Sequence, residues 1–374
     1  MKNNALFLFL LLIFSCQKEE VVDVKSKNNL KKVAESTYKL FQMPGLCYLA
    51  VKNDSIVISE GLGYANMSEK IPFTPQTRMI IASISKTIIV TTLMQLVENG
   101  SINLDTDINQ YLPFSVRNPN YPDVVITVRM LLTHTSSISD AGYVSEYYLY
   151  GYDDYPVLLM NFQKNYLTKN GTYYTNANFY SNRPGTNYKY SNVGAALAAC
   201  IVEHVSGIDF NEYCKEHVFQ PLGMNKTTWL FNETPKDEIA IPYSDLNNLN
   251  PSKPFYSYPT YPDGHLITTT EDLSKLMRAY LMTGSFNNYQ LLQPSTVDTI
   301  LSIQHLSKDV KQGLIFEFKE NVSFSVWGHN GGDPGVSTEM YFDREKHIGY
   351  IMFTNRSYAY SQTLRNALLQ FANQ

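Results

Sequence analysis

Apolar positions change rhythm along the 374 residues of the chain. Near the start, and again beyond residue 314, they come in short runs bounded by turn residues, which is the mark of β-strands. Strands are predicted over 46–51 and 55–64, joined by a turn at Asn53-Asp54, and over 324–327, 339–342 and 348–353. Between these regions apolar residues recur at helical spacing. Helices are predicted over 77–99, 105–112, 193–205, 210–218, 270–282 and 294–303, with two more over 29–41 and 361–372. The stop signals agree: Asn99-Gly100, Pro113 and Ser206-Gly207 close three of them, and Thr269 or Thr270 caps the 270–282 helix with Glu271 and Asp272 in its first turn. Strands drawn from both ends, with helices between them, imply an α/β fold of the α+β type. One antiparallel sheet is flanked by helices, and a mainly helical domain is inserted. The α/β part is assigned to 29–104 and 235–374 and the insert to 105–234; there is no internal repeat.

The first residues follow another pattern. Lys2 precedes an unbroken apolar run over 5–14, which reads as a secretory signal, assigned to 1–15. Ser15-Cys16 resembles a bacterial lipoprotein processing site, which implies cleavage before Cys16 and lipid on its thiol. Residues 16–28 then form the anchor and a polar tether. Gln17-Lys18-Glu19-Glu20 resembles the acidic tag that sends lipoproteins of some gut and soil bacteria to the cell surface. The expected location is the bacterial cell envelope, periplasmic or surface-facing, with the lipid anchor as the only membrane contact. No internal stretch reaches the roughly 18 apolar residues that a membrane span needs.

Composition removes some alternatives. A hydrophobic content of 44% allows a large core, and a net charge of -4 gives no basic face for nucleic acid. The remaining cysteines, Cys47, Cys200 and Cys214, are odd in number and lie in apolar runs, so buried free thiols are expected. A Cys200–Cys214 bridge is the alternative in an oxidising compartment. Residues 143–190 hold 12 of the 28 tyrosines. They read as a loop insertion of biased composition; the competing reading is an aromatic-lined rim for a ligand.

Three short motifs carry candidate chemistry. Ser83-Ile84-Ser85-Lys86 opens the apolar 77–99 stretch and places a serine and a lysine three apart on one helix face. A lysine buried there is pushed toward its neutral form, and a neutral amine can take the serine proton. Ser-x-x-Lys also begins at Ser15 and Ser36, but neither has an apolar setting. Tyr190-Ser191-Asn192 lies between the Pro184-Gly185 turn and an apolar helix; a phenol can serve as general acid or base beside a cation, and an amide can bond a substrate carbonyl. Tyr-x-Asn begins at Tyr64, Tyr174 and Tyr180 as well, and Tyr180 is the runner-up. His329-Asn330-Gly331 follows a strand and runs into Gly332-Asp333-Pro334-Gly335, a glycine-rich edge where a substrate backbone can lie close and a backbone N–H can meet an oxyanion. The seven histidines form no His-Glu-x-x-His or similar pair, so neither a metal nor another cofactor is called for. His134 is expected to make structural hydrogen bonds in a turn near the site.

Taken in order, Ser83-Ile84-Ser85-Lys86-Thr87, Leu131-Leu132-Thr133-His134-Thr135-Ser136, Pro184-Gly185 before Tyr190-Ser191-Asn192, Pro221-Leu222-Gly223-Met224 and Gly328-His329-Asn330-Gly331 resemble the serine β-lactamase and penicillin-binding-protein superfamily. The resemblance is to the branch that includes class C β-lactamases, D-alanyl-D-alanine carboxypeptidases and related esterases. It implies a serine hydrolase with Ser83 as nucleophile, Lys86 and Tyr190 sharing the proton transfers, and an acyl-enzyme formed from an amide or ester. The substrate is a small molecule or peptide with a scissile carbonyl. The resemblance further implies an oxyanion site at the N–H groups of Ser83 and Gly332, beside Gly331, with Asn192 orienting the substrate. His329 stands where the family usually has a lysine near the substrate's acidic end. Histidine is charged only part of the time near neutral pH, which favours peptidase or esterase chemistry over β-lactamase chemistry. The reading from another class is a non-catalytic binding or sensor lipoprotein on the same fold.

Overall fold

The structure, a computed structural model, describes residues 24–141, 147–244, 251 and 254–374. The predicted signal over 1–15 and the predicted lipidation site, Cys16, lie outside the described residues.

α1 (Lys27–Leu40) is capped by Ser26, whose hydroxyl accepts from the Asn29 N–H at 3.2 Å. β1 (Gly45–Lys52) and β2 (Ser55–Asn66) form a hairpin, followed by the short β3 (Ile71–Pro72) and β4 (Met79–Ile80). The middle of the chain is helical: α2 (Lys86–Glu98), α3 (Val128–Leu132), α4 (Leu159–Leu167), α5 (Asn192–Ser206), α6 (Phe210–Cys214) and α7 (Gln220–Leu222), with β5 (Leu149–Tyr150) among them. β6 (Tyr256–Ser257), β7 (Ile267–Thr268), α8 (Thr270–Leu281), β8 (Ser285–Phe286), β9 (Tyr289–Gln290) and α9 (Pro294–Ile300) lead back to the sheet. β10 (His305–Leu306), β11 (Lys311–Gln312), β12 (Glu317–Glu320), β13 (Ser325–Asp333), β14 (Val336–Asp343), β15 (Ile348–Thr354) and α10 (Gln362–Ala372) complete the chain.

Nine strands form one sheet in the order β10-β11-β12-β13-β14-β15-β1-β2-β3, with antiparallel neighbours. The last long strand therefore pairs with the first, Leu49 opposite Ile351. Both faces of the central strands are buried, and their period of two sorts side chains between two cores. In β1, Cys47, Leu49 and Val51 join the larger core with α2, α5 and α8, while Leu46, Tyr48 and Ala50 pack with α1 and α10. β15 divides likewise, Ile351 and Phe353 on one side and Tyr350 and Met352 on the other. This is the predicted architecture, a sheet built from both ends of the chain.

Two predicted helices differ. The 77–99 stretch is not one helix: Ser83 lies in a 3-10 turn (Ala82–Ser85), and α2 starts at Lys86. Ala82 has φ +48°, which a continuous right-handed helix cannot contain. The 105–112 stretch reduces to a single turn over Ile108–Gln110, begun by Asp107 accepting from the Asn109 N–H at 3.1 Å. Cys47, Cys200 and Cys214 are buried free thiols. Part of the tyrosine-rich segment packs inward: Tyr166 is fully buried against Phe162, and Tyr147 and Tyr173 close over that ring. Tyr143 lies outside the described residues.

Candidate active site

The site begins with the strained turn before α2. A left-handed φ at Ala82, a residue with a Cβ, costs about 1–2 kcal/mol, so neighbouring structure has to hold it. Thr338 of β14 donates its hydroxyl to the Ile81 carbonyl at 2.7 Å, and the Ile81 N–H donates to the Leu266 carbonyl at 2.9 Å. Ser85 Oγ accepts from the Leu266 N–H at 3.1 Å. Gly331 of β13 lets the sheet come this close: a Cβ there would stand 2.3 Å from the Ile81 carbonyl oxygen. The turn carrying Ser83 is thus gripped by β13 and β14 on one side and by the 264–266 segment on the other.

Lys86, at the first position of α2, is fully buried. Its Nζ donates to Ser83 Oγ at 3.0 Å and to the Asp263 main-chain carbonyl at 2.6 Å. The Asp263 carboxylate is more distant, 3.9 Å at its nearer oxygen. Burial pulls the Lys86 amine below its ordinary pKa, opposed by the negative charges of Asp263, Asp140 and Asp333. The Tyr190 ring centroid is 5.1 Å from the same Nζ. The Tyr190 hydroxyl is buried toward Ser83 without a hydrogen bond of good geometry. Burial pushes this phenol well above its usual value, and the Ser83 hydroxyl only partly offsets that, so the resting group is neutral.

What places Tyr190 is a residue outside the predicted motifs. Asp140 accepts from the Ser191 hydroxyl at 2.9 Å, from the Asn192 N–H at 2.7 Å and from the Val193 N–H at 3.1 Å. Ser191 also caps α5, its Oγ accepting from the Gly194 N–H at 2.9 Å. Together they satisfy the open N–H groups at the start of α5. On the other side, His134 accepts the Ser191 N–H on Nδ1 at 3.3 Å, and its ring lies 4.3 Å from that of Tyr190 at 34°. Burial, then the charges of Lys86 and His329, hold His134 well below its ordinary pKa, which suits a neutral ring accepting on Nδ1. The structural role predicted for His134 is the one observed.

His329 is 2% exposed and packs toward Tyr190, with ring centroids 6.1 Å apart. Its Nδ1–H donates to the Asn330 carbonyl at 2.6 Å, and Nε2 has no hydrogen-bond partner among the described residues. Burial lowers its pKa to about 4 against the pull of Glu317, so the ring is neutral near pH 7. The predicted residues therefore fall into two groups. Ser83, Asn192 and Gly332 line a small cavity of about 50 Å³, with Lys86 and Tyr190 behind Ser83; His329 and Gly331 do not line it, His329 packing toward Tyr190 and Gly331 against Ile81.

The same cavity is lined by residues outside the motifs, Asp263, Gly264, Tyr148 and Tyr258, and by Asp333, to which the motifs give no role. Tyr148 donates its hydroxyl to Asp333 Oδ1 at 2.8 Å. Part of the tyrosine-rich segment therefore reaches the site and is not a detached loop. Burial raises Asp333 to about 7 and Asp263 to about 6; Tyr148 bonding opposes the first shift and the Lys86 charge the second. Asp333 stands in the glycine-rich run after His329, and its place at the end of a strand edge was the one available signal. Asp140 and Asp263 are ordinary loop acids in sequence. Among the described residues no group of three or more His, Cys, Asp or Glu side chains is arranged to hold a metal ion.

A sequence model of the family described as Beta-lactamase matches residues 34–373. Protein flp of Staphylococcus aureus (strain MRSA252) is 24% identical over 346 residues, covering 90% of this chain. The chain spans only 64% of that protein's length. The octameric penicillin-binding protein homologue from Pyrococcus abyssi has a similar structure, with a TM-score of 0.72 at 24% identity over 92% of this chain and 76% of that one. The D-amino acid amidase from Ochrobactrum anthropi SV3 has a TM-score of 0.68 at 20% identity over 92% and 97% of the two chains. These two likenesses show a shared fold.

Proposed function

The chain belongs to the Beta-lactamase family, and from that premise we propose that it is a serine hydrolase that cleaves an amide or ester through an acyl-enzyme on Ser83. The observation that carries this reading is the 3.0 Å approach of a fully buried Lys86 amine to Ser83 Oγ, with the Tyr190 phenol facing the same hydroxyl.

Lys86 in its neutral form takes the Ser83 proton as Oγ attacks the substrate carbonyl. Desolvation favours that form, whereas Tyr190 starts as a neutral phenol, so Lys86 is the base of the first step. The oxyanion is stabilised by the N–H groups of Ser83 and Gly332. Tyr190 delivers a proton to the leaving group and is recharged from Lys86. A water then enters along the same path and gives one proton to the Lys86–Tyr190 pair as it attacks the acyl carbonyl; the pair returns that proton to Ser83 Oγ as the C–O bond breaks and the acid leaves. Asn192 and the β13 edge orient the substrate. A neutral His329 gives no fixed charge to bind a carboxylate, which supports amidase, peptidase or esterase chemistry over β-lactam hydrolysis. We place the protein at the bacterial cell envelope, held by lipid on Cys16; mass spectrometry of the purified N-terminal peptide tests that.

The test of the chemistry is labelling with a fluorophosphonate and with a fluorescent penicillin. Stoichiometric labelling of the parent by either reagent, absent in Ser83→Ala, is expected. No labelling under any condition would leave a binding protein on this fold as the reading.

A further inference from the structure

The cavity in front of Ser83 is acidic. Asp263 and Asp333 both line it, and the Asp263 charge adds to burial in raising the Asp333 carboxyl. Asp263 is 5% exposed and its carboxyl is bonded by Thr260, yet among the described residues its Oδ2 has no hydrogen-bond partner. A buried carboxylate oxygen left unpaired is costly, so this one is incomplete without a ligand. Asp333 accepts the Tyr148 hydroxyl at 2.8 Å, with Tyr256 and Tyr258 packed around Tyr148.

Fixed cations do not balance these acids. Lys86 is spent on Ser83 and on the Asp263 main chain, and it meets the Asp263 carboxylate only at 3.9 Å. The next lysine along the sheet, Lys319, pairs with Glu317 at 2.9 Å, and His329 is neutral. A substrate presenting a carboxylate here would meet two acids and, among the described residues, no free cation. One presenting an ammonium would meet two acceptors, one of them vacant.

We propose that Asp263 and Asp333 form a subsite for a protonated amino group next to the scissile carbonyl, so that the substrates are aminoacyl amides or esters, or peptides with a free N-terminus. The assignment deepens the serine-hydrolase reading and rests on it for the word substrate; the binding site itself stands on the two acids. An ammonium between them also settles the proton question in the cavity, since it favours the ionised form of both carboxyls. The small volume suits a single amino-acid residue on the acyl side.

Binding to the Ser83→Ala protein tests this without turnover. Calorimetric titration at pH 7 compares alaninamide with lactamide, which carries a hydroxyl in place of the ammonium, and with N-acetylalaninamide, each as both enantiomers. One enantiomer of alaninamide is expected to bind at least about tenfold more tightly than the matching lactamide, the scale of a hydrogen bond to a charged group. Adding Asp333→Asn or Asp263→Asn should bring the ratio below about threefold. Equal or weaker binding of alaninamide, no alaninamide binding at all, or a ratio unmoved by both substitutions overturns the subsite. The comparison among probes needs no Asp variant, so a variant that fails to fold does not rescue the proposal. Labelling of the native Ser83 reports separately on the hydrolase reading, and either can fail alone.

Discussion

Asp140 accepts the Asn192 backbone N–H at 2.7 Å, and through that bond a loop acid sets the position of Tyr190 two residues earlier. The same carboxylate takes the Ser191 hydroxyl and the Val193 N–H, so one side chain fixes the entry to α5 and the phenol that faces Ser83. Asp140→Ala should cost about 1–3 kcal/mol in urea denaturation, the range for a lost helix cap and charged hydrogen bonds. It should also lower kcat more than it raises KM, because what moves is the proposed proton-transfer group. An unchanged kcat with reduced stability would assign Asp140 to folding alone.

Tyr190→Phe removes a hydroxyl that has no hydrogen-bond partner of good geometry. Its stability should match the parent within about 0.5 kcal/mol. Acylation, followed as the rate of fluorophosphonate or ester turnover, should fall by roughly 10²–10⁴-fold, the size of a general acid–base contribution. Full activity in the variant would end its proposed role.

Lys86→Met separates stability from chemistry. The amine is fully buried, and burial has already driven its pKa down, so the charged form is a burden on the fold. In the native state the amine binds fewer protons than in the unfolded chain, so its contribution to stability rises with pH up to the unfolded lysine value. Met fills similar volume without that burden. The melting temperature at pH 7 should hold or rise, while activity falls by about 10³-fold or more.

Asp333 runs the opposite way. Its pKa rises to about 7 from an ordinary carboxyl value near 3.8, so the folded state holds a proton that the unfolded chain has lost. Stability from this group is present at low pH and is lost as pH climbs from about 4 to about 7. Asp333→Asn should flatten that decline in melting temperature and leave the variant more stable than the parent at pH 8. A parallel shift of the two curves would mean Asp333 is ionised throughout.

The general plan was readable because it depends on patterns that burial imposes. The apolar runs at 46–51 and 348–353 marked strands whose both faces are covered, and the helix stops at Asn99-Gly100 and Ser206-Gly207 fell where α2 and α5 end. Ser83, Lys86 and Tyr190 could be picked out because their neighbours in sequence are also their setting. The acids could not. Asp140, Asp263 and Asp333 come from three separate loops and edges, and each matters only because of what lies across the cavity. The start of α2 was misplaced for a related reason: Ala82 turns left-handed because Thr338, more than 250 positions later, holds the carbonyl before it.

That last contact has a bearing on biosynthesis. A ribosome releases residues 81–86 long before β13 and β14 exist, and β1 has no partner for one of its edges until β15 arrives. The nascent chain thus carries Ser83 for most of translation without the contacts that hold its turn. The proposed chemistry therefore requires β13, β14 and β15, so a product terminated before residue 325 should be inert.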